Sequence, residues 1–187
     1  VDDLDRAGDI LDAMLQCEPY RKHLDATGEP QICMIGYSDG TKDGGYLAAN
    51  WYLYQAQDRL AAVAKRQDVR LCVFHGRGGA LGRGGGPAAR GILALPPRSV
   101  NGAMRVTEQG EVLADRYDDP HIAHRHLEQV IWATMRVTAD VRNDPSEPWV
   151  QTMDAAAQAS LKAYREMAHD PAFTEYFEHA TPINRIE

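Results

Sequence analysis

Two short apolar runs, Gln31-Ile-Cys-Met-Ile-Gly36 and Val69-Arg-Leu-Cys-Val-Phe74, flank one long helical pattern, and this order restricts the possible folds more than any other feature of the chain. Each run has the length and the bounding residues of a buried strand. Between them Leu47, Trp51, Tyr54 and Ala61 trace one face of a helix that runs from Gly45 to Gln67. Polar residues follow the first run at once, in Tyr37-Ser-Asp-Gly-Thr-Lys-Asp-Gly-Gly45, and the second run leads straight into a glycine-rich segment. Strand, polar loop, helix, strand, polar loop is the order of parallel βα units, whose functional groups gather at the carboxyl ends of the strands. Both polar loops are therefore expected on one side of a sheet or barrel.

The remaining pattern is mostly helical. Leu4, Ala7, Leu11, Met14 and Leu15 fall at helical spacing behind Asp2, Asp3 and Asp5, which suit the positive end of a helix dipole. Thr27-Gly-Glu-Pro30 breaks that pattern before the first strand. Residues 88–95 read as a short helix stopped by Pro96-Pro97, and Met104-Arg-Val-Thr-Glu-Gln-Gly110 as a further strand with a polar end. Residues 120–138 and 146–169 are again helical, the latter with Ser146 as N-cap and Pro148 in its first turn.

The segment from His75 to Pro87 holds seven of the chain's sixteen glycines around one His and two Arg. Glycine lets backbone N–H groups come close to a ligand, while Arg77 and Arg83 supply planar forks that match phosphate or carboxylate. An anion-binding loop is expected in preference to a linker, because Gly-rich linkers are usually filled with Ser and lack a strand and a helix at their two ends. The net charge of −7 speaks against a nucleic-acid-binding domain. Three cysteines, Cys17, Cys33 and Cys72, without a C-x-x-C spacing point to neither a disulfide framework nor a zinc site, and a reducing cytoplasm is expected. No run approaches a membrane span, and the acidic start is unlike a signal peptide.

Gly36-Tyr-Ser-Asp-Gly40 matches the nucleophile elbow of serine hydrolases and follows a strand. Two features argue against a hydrolase built on Ser38: Lys42-Asp-Gly-Gly45 separates the serine from the expected helix, and the only candidate oxyanion loop follows the serine instead of preceding it. Asp39 and Asp43 read better as hard oxygen ligands or bases with Lys42 beside them, although capping of the next helix would use the same carboxylates. His121, His124 and His126 lack an i, i+4 pair and read as solvated or locally paired instead of ligating. Arg105, Glu108 and Gln109 end a strand and could face the same site, or serve as caps and ion pairs.

Taken together, Met34-Ile-Gly-Tyr-Ser-Asp-Gly-Thr-Lys-Asp-Gly-Gly-Tyr-Leu-Ala-Ala-Asn50, the segment from Phe74 through the glycine loop to Pro87, and Arg105-Val-Thr-Glu-Gln-Gly-Glu111 resemble the phosphoenolpyruvate carboxylase family, as does the closing Ala180-Thr-Pro182. The likeness runs nearly end to end. It implies an α/β fold, a helix-rich partial (β/α)8 barrel of the TIM type, with residues 1–187 forming a single segment of the catalytic barrel domain. Family members are several times longer, so the chain is expected to be a central slice, truncated at both ends and inactive alone. A carbon–carbon lyase is implied that carboxylates phosphoenolpyruvate with bicarbonate to oxaloacetate and phosphate through carboxyphosphate and enolpyruvate. It would use Mg²⁺ or Mn²⁺ and act in the cytoplasm as a homotetramer, with no nucleic acid or membrane partner. By matching motif, Asp39 would be a metal ligand and Lys42 an electrostatic contributor. His75 would serve carboxylation by handling a proton near carboxyphosphate, Arg77 would hold phosphate, Arg83 would hold bicarbonate or carboxyphosphate on the glycine loop, and Met34 would line the CO₂ pocket. The family's second carboxylate ligand, a Glu, would fall upstream of Val1, and a further phosphate-binding Arg after Glu187. The readings left beside this one are the serine hydrolase using Ser38 and a non-catalytic anion-binding module.

Overall fold

The computed structural model describes residues 2–76, 88–107, 110–139 and 144–185. A short helix α1 (Asp2–Asp5) precedes α2 (Ala7–Gln16) and α3 (Glu18–Thr27), and the chain then enters β1 (Gln31–Gly36). Gly28, at a φ of 64°, ends α3 in the left-handed conformation that glycine adopts without steric cost. After β1 come α4 (Tyr37–Gly44), the long helix α5 (Tyr46–Arg66) and β2 (Leu71–Gly76). Beyond residue 87 follow α6 (Ala88–Leu93), β3 (Arg105–Val106), α7 (Gly110–Tyr117), α8 (Pro120–Ala139), α9 (Glu147–Ala168) and α10 (Pro171–Ala180).

Among the described residues the architecture is α/β and helix-rich, with three parallel strands in the order β1-β2-β3. The helix between β1 and β2 makes the parallel pairing possible, since parallel neighbours need a crossover. Leu53, Leu60 and Val63 of α5 pack with Leu11 and Leu15 of α2 against Ile35, Leu71 and Val73, which covers one face of the sheet. Burial of each such side chain stabilises by about 1.5–3 kcal/mol. On the opposite face Ile32 and Met34 are exposed. A second cluster joins Ile92 of α6 to Ala133 and Val137 of α8, and a third seats α9 on α5 through Ala48, Trp51 and Ala157. In the third, Asp154 accepts hydrogen bonds from Trp51 Nε1 at 2.7 Å and Gln55 Nε2 at 2.9 Å, so burial of the indole leaves its donor satisfied.

Three local expectations are corrected. The polar stretch after β1 is no loop: residues 37–44 form α4, in which Thr41 Oγ1 donates to the Tyr37 carbonyl at 2.9 Å. Gly40 is buried, and a Cβ there would stand at ordinary contact distance, 3.5 Å, from Ala49 Cβ, so packing of α4 on α5 holds the helix despite its poor propensity. The strand β2 starts two residues later and runs two residues further than its apolar run. Asp68 at a φ of 52° turns the chain, and Val69 donates its N–H to Ala64 at the end of α5, so the ladder begins at Leu71 and takes in His75. The third strand is confined to Arg105–Val106, and Gly110 already belongs to α7.

Candidate active site

The register of the sheet brings the strand ends that carry Met34 and His75 side by side. Met34 pairs with Phe74, Ile35 with His75 and Gly36 with Gly76, while His75 also pairs with Val106 of β3. The carboxyl ends of all three strands therefore lie side by side. Paired residues of neighbouring strands point to the same face, so Met34, Gly36 and Gly76 share one face and Ile35 and His75 the other.

Gly36 and Gly76 create the room at this edge. A Cβ on Gly36 would lie 3.0 Å from Asp39 Oδ2, so the Asp39 carboxylate rests over the end of β1 and would have to give by a few tenths of an ångström to a side chain there. A Cβ on Gly76 would come 2.6 Å from Met34 Cε and 3.0 Å from the Ile35 carbonyl, which places the Met34 thioether across the end of β2. Met34 remains 63% exposed on that face. Asp39 sits in the first turn of α4, where its charge suits the helix dipole, and is exposed. Lys42 follows three residues later on the same helix face; its side chain is exposed, and its carbonyl accepts from Tyr164 Oη at 2.8 Å. Gly45 is required behind it, with a φ of 76° and a Cβ position 2.9 Å from the Tyr164 ring.

His75 is 1% exposed, near the end of β2 and just before the glycine segment. Its carbonyl accepts from Thr107 N at 3.1 Å, and its Nδ1 lies 3.0 Å from Tyr37 Oη. Sequence reasoning gave Tyr37 no role, although its place two residues beyond Ile35 on the path of β1 is the signal that it shares the face of His75. Arg77 and Arg83, with the rest of residues 77–87, lie outside the described residues, as do Glu108 and Gln109. Arg105 is exposed on β3, and Arg165 Nη2 reaches Asp43 Oδ2 at 3.4 Å, which ties α9 to α4.

The helix carrying Ser38 begins at Tyr37, so the supposed gap between serine and helix does not exist and that objection to an elbow falls. A different observation weighs against it: the imidazole at this edge is bonded to Tyr37, not to Ser38. On α8, His124 Nδ1 is 3.7 Å from Glu128 and His126 packs edge-on against Tyr117. Among the described residues no three His, Cys, Asp or Glu stand together as a metal cage. A single exposed carboxylate over a glycine fits Mg²⁺, which keeps several waters and takes one or two carboxylates together with substrate phosphate. Among the described residues no helix is long and apolar enough to cross a membrane.

Burial pushes the Cys33 thiol up, against a weaker opposing contact from Gln31, whereas Cys17 is exposed. Since the thiolate is the nucleophile, iodoacetamide at neutral pH should alkylate Cys33 more slowly in the folded protein than in urea. Peptide mass mapping reads this directly, and equal rates in the two states would contradict the burial of Cys33.

The carboxyl ends of parallel strands in an α/β fold are where functional groups of enzymes of this class collect, and Asp39, Lys42 and the buried His75 lie at or just beyond the ends of β1 and β2. The family model for phosphoenolpyruvate carboxylase matches residues 1–187. Relatives of that name share 47% identity over 185 residues in Roseiflexus castenholzii, covering 98% of the chain, and 47% over 189 residues in Mycobacterium leprae, covering all of it. One from Rhodothermus marinus is 46% identical over 191 residues. The chain belongs to the phosphoenolpyruvate carboxylase family, and it spans 20% of the length of each of these relatives.

Proposed function

We propose that the chain is a central segment of the catalytic barrel of a phosphoenolpyruvate carboxylase, and that the full-length protein forms oxaloacetate and phosphate from phosphoenolpyruvate and bicarbonate. What supports this reading is the match to the family throughout the chain, together with Asp39 and Met34 on one face of neighbouring strand ends; His75, at the end of β2, lies buried on the opposite face. The three parallel strands are then part of a (β/α)8 barrel, with Ile32 and Met34 on its inner face and α2 and α5 outside. The cytoplasmic setting and a homotetrameric assembly rest on the family likeness alone.

Asp39 would hold the divalent ion, Mg²⁺ or Mn²⁺, which would supply positive charge to the phosphoryl group. Lys42 adds a second positive charge on the same helix face, and Arg77 grips the phosphate with its planar fork. In the first step the bond from phosphorus to the enol oxygen breaks and a bond to a bicarbonate oxygen forms, giving carboxyphosphate and the enolate of pyruvate. Arg83 holds the bicarbonate and then the carboxyphosphate, and the glycine segment around it keeps water from the enolate. Carboxyphosphate splits into CO₂ and phosphate, with CO₂ resting against Met34. His75 takes the proton that bicarbonate carried and returns it to phosphate, and the enolate carbon attacks CO₂.

Oxaloacetate formation by the full-length protein, followed through coupled reduction to malate, tests the reading. It should require phosphoenolpyruvate, bicarbonate and a divalent cation together. The isolated 187-residue chain should show no turnover, and activity from it would mean that the site needs nothing outside these residues. Stoichiometric labelling of Ser38 by a fluorophosphonate would favour the hydrolase reading instead. Phosphoenolpyruvate binding without turnover in the full-length protein would favour a plain anion-binding module.

A further inference from the structure

We propose that Tyr164 of α9 is a positioning residue for the site, its hydroxyl and ring together fixing the carboxyl-terminal turn of α4 and so the helix face that presents Asp39 and Lys42. The inference rests on the carboxylase reading and deepens it. By its sequence α4 is a weak helix, eight residues long, with glycine at 40 and 44 and Gly45 as its cap. Such a helix needs fixing from outside if two side chains on it are to keep their directions. Its start is set by β1, which runs directly into Tyr37, and its flank by Gly40 against Ala49. Tyr164 supplies the third point.

The contact is made twice over. Tyr164 Oη donates to the Lys42 carbonyl at 2.8 Å, and this carbonyl is among the last four of α4, which a helix leaves without partners in its own ladder. The ring of the same tyrosine lies on Gly45, where an added Cβ would stand 2.9 Å from Cγ and Cδ2. Gly45, at a φ of 76°, is the joint between α4 and α5, so the ring holds the joint and the hydroxyl holds the turn before it. The residue whose carbonyl is held is the one whose ammonium the carboxylase reading assigns to the site, and Asp39 lies one turn back on the same helix face. Tyr164 can act as a fixed reference because other groups seat α9 on α5. Ala157 and Leu161, on the same face of α9 as Tyr164, pack with Ala48 and Trp51, and Asp154 accepts from Trp51 and Gln55.

The test uses the full-length protein with Tyr164→Phe, which keeps the ring over Gly45 and removes only the hydroxyl. Mn²⁺ binding, read without phosphoenolpyruvate from the electron paramagnetic resonance of the free ion, should weaken about 3- to 10-fold, the value of one lost hydrogen bond passed on to the Asp39 carboxylate. The kcat for oxaloacetate should fall in the same range, and the amides of residues 37–45 should exchange faster with deuterium. In an Asp39→Asn background the same change should bring no further weakening of Mn²⁺ binding, because the group it acts through is already gone. Gln55→Ala controls for a merely structural role: it removes a bond between α5 and α9 that lies about 15 Å along α5 from Gly45, and should leave Mn²⁺ binding unchanged. Unchanged Mn²⁺ binding in Tyr164→Phe, an equal loss from Gln55→Ala, or a further loss on top of Asp39→Asn would overturn the inference while leaving the carboxylase reading intact. Absence of oxaloacetate formation by the unmodified protein would overturn that reading, and this inference with it.

Discussion

Replacing Asp39 by Asn in the full-length protein should lower kcat for oxaloacetate formation by about 100- to 1,000-fold, the equivalent of several kcal/mol of charge stabilisation at the phosphoryl group. The substitution keeps the shape of the side chain, so the close fit of Oδ2 over Gly36 is preserved and α4 is left in place. What changes is the charge. The concentration of Mg²⁺ needed for half-maximal rate should rise in parallel, because an amide oxygen is a weaker ligand for a hard cation. Rate and Mg²⁺ titration together check this, and a variant with near-normal kcat and an unshifted titration would remove Asp39 from the metal site.

His75→Asn should separate the two halves of the reaction. The amide nitrogen of Asn overlays Nδ1, so Tyr37 keeps a partner, while Nε2 is lost. Oxaloacetate formation should fall by about 100-fold or more, as for the loss of a general acid–base group, while bicarbonate-dependent hydrolysis of phosphoenolpyruvate to pyruvate persists. Measurement of pyruvate and oxaloacetate in the same assay reads the partition. Equal loss of both products would assign His75 to phosphoryl transfer instead of the carboxylation that follows it.

Elements with strong periodicity were legible from residues alone. The strand β1 spans the apolar run, and α5, α8 and α9 follow their helical stripes to within two residues. Elements that owe little to burial were not. The helices α3 and α10 have no fully buried residues; α3 meets the core through the short pair Tyr20 and Leu24 and is otherwise stitched by i, i+4 ion pairs from Lys22 to Glu18 and Arg21 to Asp25, which leaves a weak hydrophobic stripe. Tertiary packing also overrode local propensity in α4, where Gly40 against Ala49 secures a helix that three glycines within residues 40–45 speak against.

The same contrast holds at the site. Asp39 and His75 stood out by residue type, and the alternation of strands and helices placed both at strand ends. The hydroxyl of Tyr37 on Nδ1 of His75 did not stand out, since it joins residues 38 positions apart whose meeting depends on the register of β1 against β2. Nor did the clearance that Gly36 and Gly76 provide, because a glycine in a strand looks like weakness until the neighbour that fills its space is seen.

Transfer of the phosphoryl group to bicarbonate at this edge of the sheet is the proposed step on which every proposed role depends. Bicarbonate labelled with ¹⁸O, supplied to the full-length protein with phosphoenolpyruvate and Mg²⁺, tests that step directly. Mass analysis of the inorganic phosphate should find one labelled oxygen per phosphate, left behind when carboxyphosphate releases CO₂. Unlabelled phosphate released alongside oxaloacetate would show that the phosphoryl group never reached bicarbonate, and would contradict the proposed roles of Asp39 and His75.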